Sequence, residues 1–93
     1  MLIGICEISL YLPNSHSLKA KRSILTGYKS FLRKKYNISI AEIGQKNSWK
    51  ESIVGISIIS DNRQYIDRVM EKIISDSEIN PEIQLLEYRI SVN

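Results

Sequence analysis

The first part of the chain alternates between apolar and polar positions, as a β-strand with one covered face does. From Leu2 to Leu12 every even-numbered position is apolar or glycine, so these positions would share one face. The odd-numbered positions are mixed, which is typical of a face that is only partly covered. Pro13 and Asn14 favour a turn, and they end the predicted strand.

After this strand the period becomes helical. Ser17 is suited to cap a helix that runs from Leu18 to about Tyr36. The apolar stripe predicted for this helix consists of Leu18, Leu25, Tyr28, Phe31, Leu32 and Tyr36, with Ile24 at its edge. Gly27 weakens the helix, and it either permits close packing or is neutral.

Two further strands follow, from Ile38 to Ile43 and from Ser52 to Ile59, where apolar residues alternate or β-branched residues are frequent. The polar segment from Gly44 to Lys50 joins them as an antiparallel hairpin.

A second helix is predicted next. Asp61 followed by Gln64 resembles a capping box. The apolar residues after it have amphipathic helical spacing: Ile66, Val69, Met70, Ile73 and Ile74. Asn80 and Pro81 break the chain, and Glu82 to Val92 forms the final strand. The order βαββαβ predicts an α+β, ferredoxin-like fold for residues 1–93 as a single domain. It has an antiparallel four-stranded sheet with two helices on one face.

Composition narrows the class of protein. A hydrophobic share of 43% and a charged share of 25% are those of a globular protein, so disorder is not expected. No apolar run approaches the ~20 residues that span a bilayer, and the N-terminus lacks the charged start of a secretory signal. Cys6 is the only cysteine and cannot form an internal disulfide. We therefore expect a cytoplasmic protein.

The net charge of +3 is distributed unevenly. No acidic residue lies between Glu7 and Glu42, whereas seven of the 13 basic residues lie from Lys19 to Lys35. One basic element on a slightly acidic body indicates a polyanionic partner.

Within the first helix, Arg22, Lys29 and Arg33 fall in one narrow angular band, and Lys19 lies beside it. Cations one or two turns apart match phosphate groups along a nucleic-acid backbone. The alternative is a solvated face that keeps the protein soluble. A solvated helix usually mixes charges of both signs, so the lack of acids here favours binding.

The hairpin connection places Trp49 near Lys46 and beside Lys50. The indole could stack on nucleic-acid bases or anchor a partner. Alternatively it folds back over the edge of the core, and we favour this second interpretation.

RNA-binding domains of this topology carry aromatic side chains on the two central strands, here the first and third. Only Tyr11 qualifies, so the chain is not a standard RNA-recognition motif. The uncovered face is instead predicted to show a contiguous apolar patch of Ile3, Ile5, Ile53 and Ile59. Such a patch marks a partner surface, and it predicts a homo-oligomer unless loops or the last strand cover it.

Catalytic and metal chemistry is poorly supported. His16 is the only histidine, no acid lies near it in sequence, and Ser15 and Ser17 are expected to serve a turn and a cap. One cysteine and one histidine cannot build a zinc site of usual composition, and no glycine-rich phosphate loop is present. Cys6 is expected to be an inert hydrophobe. We expect no enzymatic activity, no cofactor, no metal and no membrane association.

Several segments together resemble the YlxP-like family of short bacterial proteins, a domain of unknown function. They are Leu12-Pro13, the segment SLKAKR at 17–22, the segment NISIAE at 37–42, Trp49 and Gly55. The resemblance covers nearly the whole chain and implies a ferredoxin-like fold. Family members often lie beside genes for translation initiation and ribosome maturation factors, which implies a role near the ribosome or RNA.

The resemblance implies no activity. This chain departs from the family pattern at Asn47, where an acid is common, and at Asn14, where glycine is common. Glu42 could pair with a lysine as part of the structure or orient an arginine for a ligand, and we favour the structural pair.

Two functions are therefore expected. The first is an RNA- or ribosome-associated accessory factor that binds phosphates through Lys19, Arg22, Lys29 and Arg33, with Lys46, Trp49 and Lys50 as a second contact. The alternative is a homo-oligomeric, protein-binding scaffold or regulatory module that acts through the open sheet face.

Overall fold

A computed structural model describes residues 1–93 and contains six regular elements. They are β1 (Leu2–Tyr11), α1 (Leu18–Lys35), β2 (Ser39–Gly44), β3 (Glu51–Ser60), α2 (Arg63–Glu78) and β4 (Gln84–Val92). The strands form one antiparallel sheet in the order β2-β3-β1-β4. The predicted ferredoxin-like α+β fold is confirmed. Neither helix is both long and apolar enough to cross a membrane.

The central strand β1 has the orientation that its alternation predicts. Cys6, Ile8 and Leu10 are fully buried on the face that the helices cover. Gly4 lies in the same row, and a Cβ atom there would stand only 2.5 Å from Ile66 Cγ2. A larger residue would therefore push α2 away from the sheet, and glycine permits the close approach.

The helices contribute most of their predicted stripes to one core, although Leu18 at the start of α1 is only half-buried and lies outside it. All five apolar residues predicted for α2 are buried, as are Leu25, Tyr28 and Leu32 of α1. Phe31 was expected in the α1 stripe, but it is exposed, with Lys35 Nζ 5.5 Å from its ring centroid. At 3.6 residues per turn, Phe31 lies roughly 90° from the centre of the stripe, so its side chain points past the sheet.

Hydrogen bonds between side chains tie the two helices together. Tyr28 Oη and Ser77 Oγ lie 2.7 Å apart in the core, and burial raises the pKa of Tyr28 to about 12. At the end of α1, Asp76 accepts from Tyr36 Oη at 2.6 Å and from Lys35 Nζ at 3.0 Å. Burial acts to raise the pKa of Asp76, but these two donors outweigh it, and the net shift is downward.

The sequence predicts the capping residue correctly for the first helix but not for the second. Ser17 caps α1 as expected, its side chain accepting from Ala20 N at 3.0 Å. The capping box at Asp61 is wrong, because Asn62 is the residue with extended dihedrals and its side chain accepts from Tyr65 N at 3.1 Å. Asparagine caps a helix as well as aspartate does, so the start moves by one residue.

Gly27 of α1 faces open solvent, and a Cβ atom placed there meets nothing within 4 Å. Glycine here permits no close packing and only weakens the helix. We therefore expect Gly27→Ala to stabilise the protein by up to about 1 kcal/mol, seen as a higher midpoint in urea denaturation. A Gly4→Ala variant is the matched control, and it should be destabilised because its Cβ meets Ile66. An unchanged midpoint for Gly27→Ala would show that the helix gains nothing from the added methyl group.

Candidate nucleic-acid interface

Three segments meet at one end of the sheet: the turn after β1, the first turns of α1, and the connection from residue 45 to residue 50. Leu12 N donates to Lys50 O at 2.7 Å, and Lys50 Nζ donates to Pro13 O at 3.0 Å. Within the connection, Ser48 Oγ accepts from Glu51 N at 3.0 Å. The connection is therefore fixed against the turn by its own hydrogen bonds.

The buried side chain of Lys21 joins α1 to this connection. Its side chain is only 1% exposed, and its Nζ donates to Gln45 O at 2.6 Å and to Ser48 O at 2.7 Å. The third partner is Glu42 Oε2, at 2.9 Å. An ammonium group has three donors, so every donor of Lys21 is satisfied inside the protein. Lys21 is thus a structural residue, and none of its donors is free for a ligand.

Glu42 completes the network from β2. Its Oε2 atom also accepts from Ser52 Oγ at 2.7 Å, so the carboxylate is held by a cation and a hydroxyl. This is the structural pair with a lysine that we favoured for Glu42. The sequence did contain a signal for Lys21, because it lies three residues after Leu18 and four before Leu25, inside the buried stripe.

Gln45 begins the connection with a φ of 56°, in the left-handed region that non-glycine residues rarely occupy. The carbonyl oxygen of this residue is one of the acceptors of Lys21. The short charge-assisted bond therefore stabilises a backbone turn that would otherwise be unfavourable.

The predicted cations of α1 have different environments. Lys19 and Arg22 are exposed and Lys29 is half-buried, and none of the three takes part in a salt bridge. Arg33 is exposed, but one guanidinium nitrogen donates to Ile40 O at 2.9 Å. That carbonyl belongs to the edge strand β2, so the band of cations runs beside this edge.

The second predicted contact lies on the connection. Lys46 is exposed, whereas Lys50 is half-buried and bonded to Pro13. Our interpretation that Trp49 covers the core is wrong, because the side chain is 57% exposed. The connection is held through the backbone carbonyls that bind Lys21, and this leaves the indole outside.

The open sheet face differs from the predicted patch. Ile3 lies opposite Ile59, and Ile5 is two residues along β1. Ile53 instead lies opposite Ser9, and a row formed by Glu7 and Gly55 separates it from the others. The four predicted isoleucines therefore do not form one unbroken series along these strands, because Glu7 lies between Ile5 and the row of Ile53.

The sequence analysis did not predict that Ile43 lies on the open sheet face. The register of β2 against β3 shifts between Glu42 and Gly44. As a result Ile43 covers the open face of Gly55, with its Cδ1 atom 3.1 Å from the site of a Cβ there. Beside it lies a shallow depression of about 320 Å³ that Ile5 and Ser57 also line.

Reactive groups at this end of the molecule are few. Ser15 Oγ donates to Ser17 O at 3.2 Å, so the two serines serve a turn and a cap as expected. His16 is exposed. Cys6 is buried in the core, and burial, followed by the charge of Glu7, raises the pKa of its thiol to about 11. No group of three or more His, Cys, Asp and Glu side chains is arranged to hold a metal ion.

Comparison with known proteins places the chain in a family. The family described as "Protein of unknown function (DUF503)" matches residues 3–90. The chain belongs to this family. It is also 29% identical over 83 residues to the uncharacterized protein YlxP of Bacillus subtilis (strain 168), covering 89% of this chain and 90% of that one. The resemblance to YlxP-like proteins is confirmed.

Two designed proteins have similar solved structures. The de novo designed protein Foldit4 matches with a TM-score of 0.54 and 14% identity, over 98% of this chain and 96% of that chain. The de novo designed protein Ferredog-Diesel matches with a TM-score of 0.51 and 16% identity, over 98% and 84%. At these identities the likeness shows the fold alone.

Replacing Lys21 tests how much the interface depends on it. Lys21→Met keeps the length of the side chain, but it leaves the carboxylate of Glu42 without its cation and two carbonyl groups without their donor. We expect a loss of about 3–5 kcal/mol in the free energy of unfolding, measured by urea denaturation. Lys19→Met, on the exposed face of the same helix, should change it by less than about 0.5 kcal/mol.

Adding Glu42→Leu to Lys21→Met should recover part of the loss, because no unpaired charge then remains buried. Equal stability of Lys21→Met and Lys19→Met would contradict the structural role of Lys21.

Proposed function

We propose that this protein is an RNA- or ribosome-associated accessory factor of the cytoplasm, which binds the phosphate backbone and catalyses no reaction. The observation that carries the proposal is a set of cations without acidic partners, Lys19, Arg22 and Lys29, beside a fixed connection with an exposed Trp49. Unpaired cations on one helix attract a polyanion and need lose no intramolecular partner to bind it.

The fixed connection supports a stacking contact. Aromatic side chains stack on unpaired bases with little regard to sequence, and each contact contributes about 1–3 kcal/mol. Stacking is more favourable when the platform is already ordered, because less conformational entropy is lost on binding. Lys21 and Lys50 supply that order through their bonds to the backbone. Trp49 would then hold a base while Lys46 and the cations of α1 hold phosphates.

The proposed contacts differ in what they can contribute. Lys19, Arg22 and Lys46 have free donors, whereas Lys50 donates to Pro13 O and Arg33 gives one nitrogen to Ile40 O. A guanidinium group has five donors, so Arg33 retains the capacity to bind a phosphate. Contacts of this kind give affinity without base recognition, so we expect binding that depends on salt and little on sequence.

A second function, from another class, is supported by the open sheet face. Ile59 is 64% exposed, and Ile43 and Ile5 are also exposed on this side of the sheet. Exposed apolar groups on one face are typical of protein-binding surfaces. A homo-oligomeric scaffold or regulatory module would use this face and leave α1 free.

Substitution of the α1 cations tests RNA binding. We expect a Lys19→Gln/Arg22→Gln/Lys29→Gln variant to bind bulk RNA at least about tenfold more weakly at low salt than the unmodified protein. The dependence of log K on log salt should fall by about 2, since each lost phosphate contact contributes about 0.7 for single strands. Co-sedimentation with RNA and with ribosomal subunits at several salt concentrations measures both quantities.

The matched control is Arg63→Gln/Arg68→Gln/Lys72→Gln on the exposed side of α2, which removes the same net charge. It should keep most of the affinity. Trp49, the only tryptophan, gives an independent signal, because stacking should quench its fluorescence. Equal losses in both variants would mean that only net charge matters. No association of the unmodified protein at low salt would rule the proposal out.

The sheet-face function predicts a different result. An Ile5→Ser/Ile59→Ser variant should lose oligomers or partner binding, because it removes exposed apolar area from that face. Size-exclusion chromatography with light scattering measures the oligomeric state. Ile79→Ser is the control, since Ile79 is exposed at the end of α2 and away from the sheet face. If the sheet-face variant and the control behave alike, the open face is not the binding surface.

A further inference from the structure

The two edges of the sheet are unequally protected. At one edge, β2 has six residues and Arg33 covers one of its carbonyl groups. At the other edge, β4 has nine residues and exposes Leu86 (51%), Tyr88 (47%) and Ile90 (39%). Proteins usually shorten, charge or cover an edge strand so that it does not pair with another chain. The edge at β4 is long and exposes apolar side chains between its charges, which favours pairing.

The backbone of β4 is free to accept another strand. Ile3 and Asn93 exchange both backbone hydrogen bonds, at 2.8 and 2.9 Å. In an antiparallel pair such positions alternate with positions whose groups point away from the partner strand. Counting back from Asn93 along the register, Tyr88 and Ile90 direct their N–H and C=O groups away from β1.

The sequence of β4 is self-complementary around Tyr88. Residues 86–90 read Leu-Glu-Tyr-Arg-Ile. The residues next to Tyr88 on its two sides carry opposite charges, and the residues one position further out are both apolar. In an antiparallel pairing of two copies centred on Tyr88, Glu87 lies opposite the partner's Arg89. Arg89 likewise lies opposite the partner's Glu87, so the same ion pair forms twice by symmetry.

We propose that two copies of this chain associate through β4 about a two-fold axis at Tyr88, and that the two sheets join into one of eight strands. The facing pairs from Glu87 to Arg89 then have a favourable chemistry. Tyr88 faces its own copy on the helix side of the sheet, because it lies opposite Ile8. Arg89 and Glu87 face the other side.

The existing ion pair extends into the dimer. Arg89 lies opposite Glu7 of β1, with its Nη2 atom 3.8 Å from Glu7 Oε2, and both side chains are exposed. In the dimer, Arg89 has Glu7 on one side and the partner's Glu87 on the other. Negative and positive side chains therefore alternate from one chain to the other. The charge of Arg89 is better neutralised between two carboxylates than beside the one carboxylate of the single chain.

Charge selects this register over its neighbour. A pairing centred on Ile90 also matches the hydrogen-bond alternation, but it sets Arg89 opposite Ser91 and Glu87 opposite Asn93. In that register neither Arg89 nor Glu87 would face a residue of opposite charge in the partner. The register shift between Ser9 and Leu10 ends the regular part of β4 at Glu87, so the pairing is short and its side chains decide the register.

The arrangement separates self-association from the cations of α1. A two-fold axis perpendicular to the sheet keeps all helices on one face, and the strand order becomes β2-β3-β1-β4-β4-β1-β3-β2. At ~4.8 Å per strand the two β2 strands lie roughly 34 Å apart. The dimer therefore presents two distant copies of the α1 surface, and neither is covered.

Two single charge reversals test the register. Glu87→Arg sets arginine opposite the partner's Arg89, and Arg89→Glu sets glutamate opposite the partner's Glu87. Like charges directly opposite are destabilising, so we expect each variant to dimerise at least about tenfold more weakly than the unmodified protein. An equimolar mixture of the two variants should regain dimers, because both pairs are again attractive in the heterodimer. Sedimentation equilibrium measures the two variants, their mixture and the unmodified protein.

Arg68→Glu and Glu71→Arg, both exposed on α2, are the controls and should dimerise like the unmodified protein. The Ile5→Ser/Ile59→Ser variant should keep this dimer and lose only an association made by the open sheet face, which separates the β4 edge from that face. Circular dichroism verifies that each variant is folded. A monomeric unmodified protein at high concentration, or charge reversals that leave the dimer intact, would overturn the proposal. So would a mixture that stays monomeric.

Discussion

The candidate interface depends on the two hydrogen bonds and the ion pair that the buried Lys21 ammonium group makes. A buried ammonium is costly unless every donor is satisfied, and here the acceptors come from β2 and from the connection after it. The same bonds hold Gln45 in a left-handed turn and keep Trp49 outside. One cation thereby fixes the end of the sheet, the start of α1 and the shape of the exposed loop.

The regular parts of the fold could be predicted because long segments repeat one period. The even positions of β1 and the spacing from Ile66 to Ile74 each specify a face several times over, so a single ambiguous residue does not alter the assignment. The errors occur where a period ends or shifts. Phe31 lies at the margin of its stripe, and Ile43 lies at a change of register, which sequence alternation does not reveal.

The candidate site was only partly predictable, because it depends on the orientation of side chains that have the same charge. The sequence shows that α1 is basic, but Lys19, Lys21 and Arg22 are chemically similar and differ in the direction they face. Only spacing separates them, and a lysine at an apolar position is easily assigned to the surface. The exposure of Trp49 depends on backbone carbonyls that accept from Lys21, and these acceptors have no signature in the amino-acid sequence.

The charges of this protein have different roles according to whether acids lie opposite them. Lys21 and Lys35 face carboxylates and join elements of the fold, whereas Lys19 and Arg22 face none and remain available to a polyanion. On β4, Glu87 and Arg89 lie on either side of Tyr88, so an antiparallel second copy of the same strand would complement both charges. Because α1 lies over the opposite edge of the sheet, an RNA on the helix and a second copy on β4 would not compete for surface.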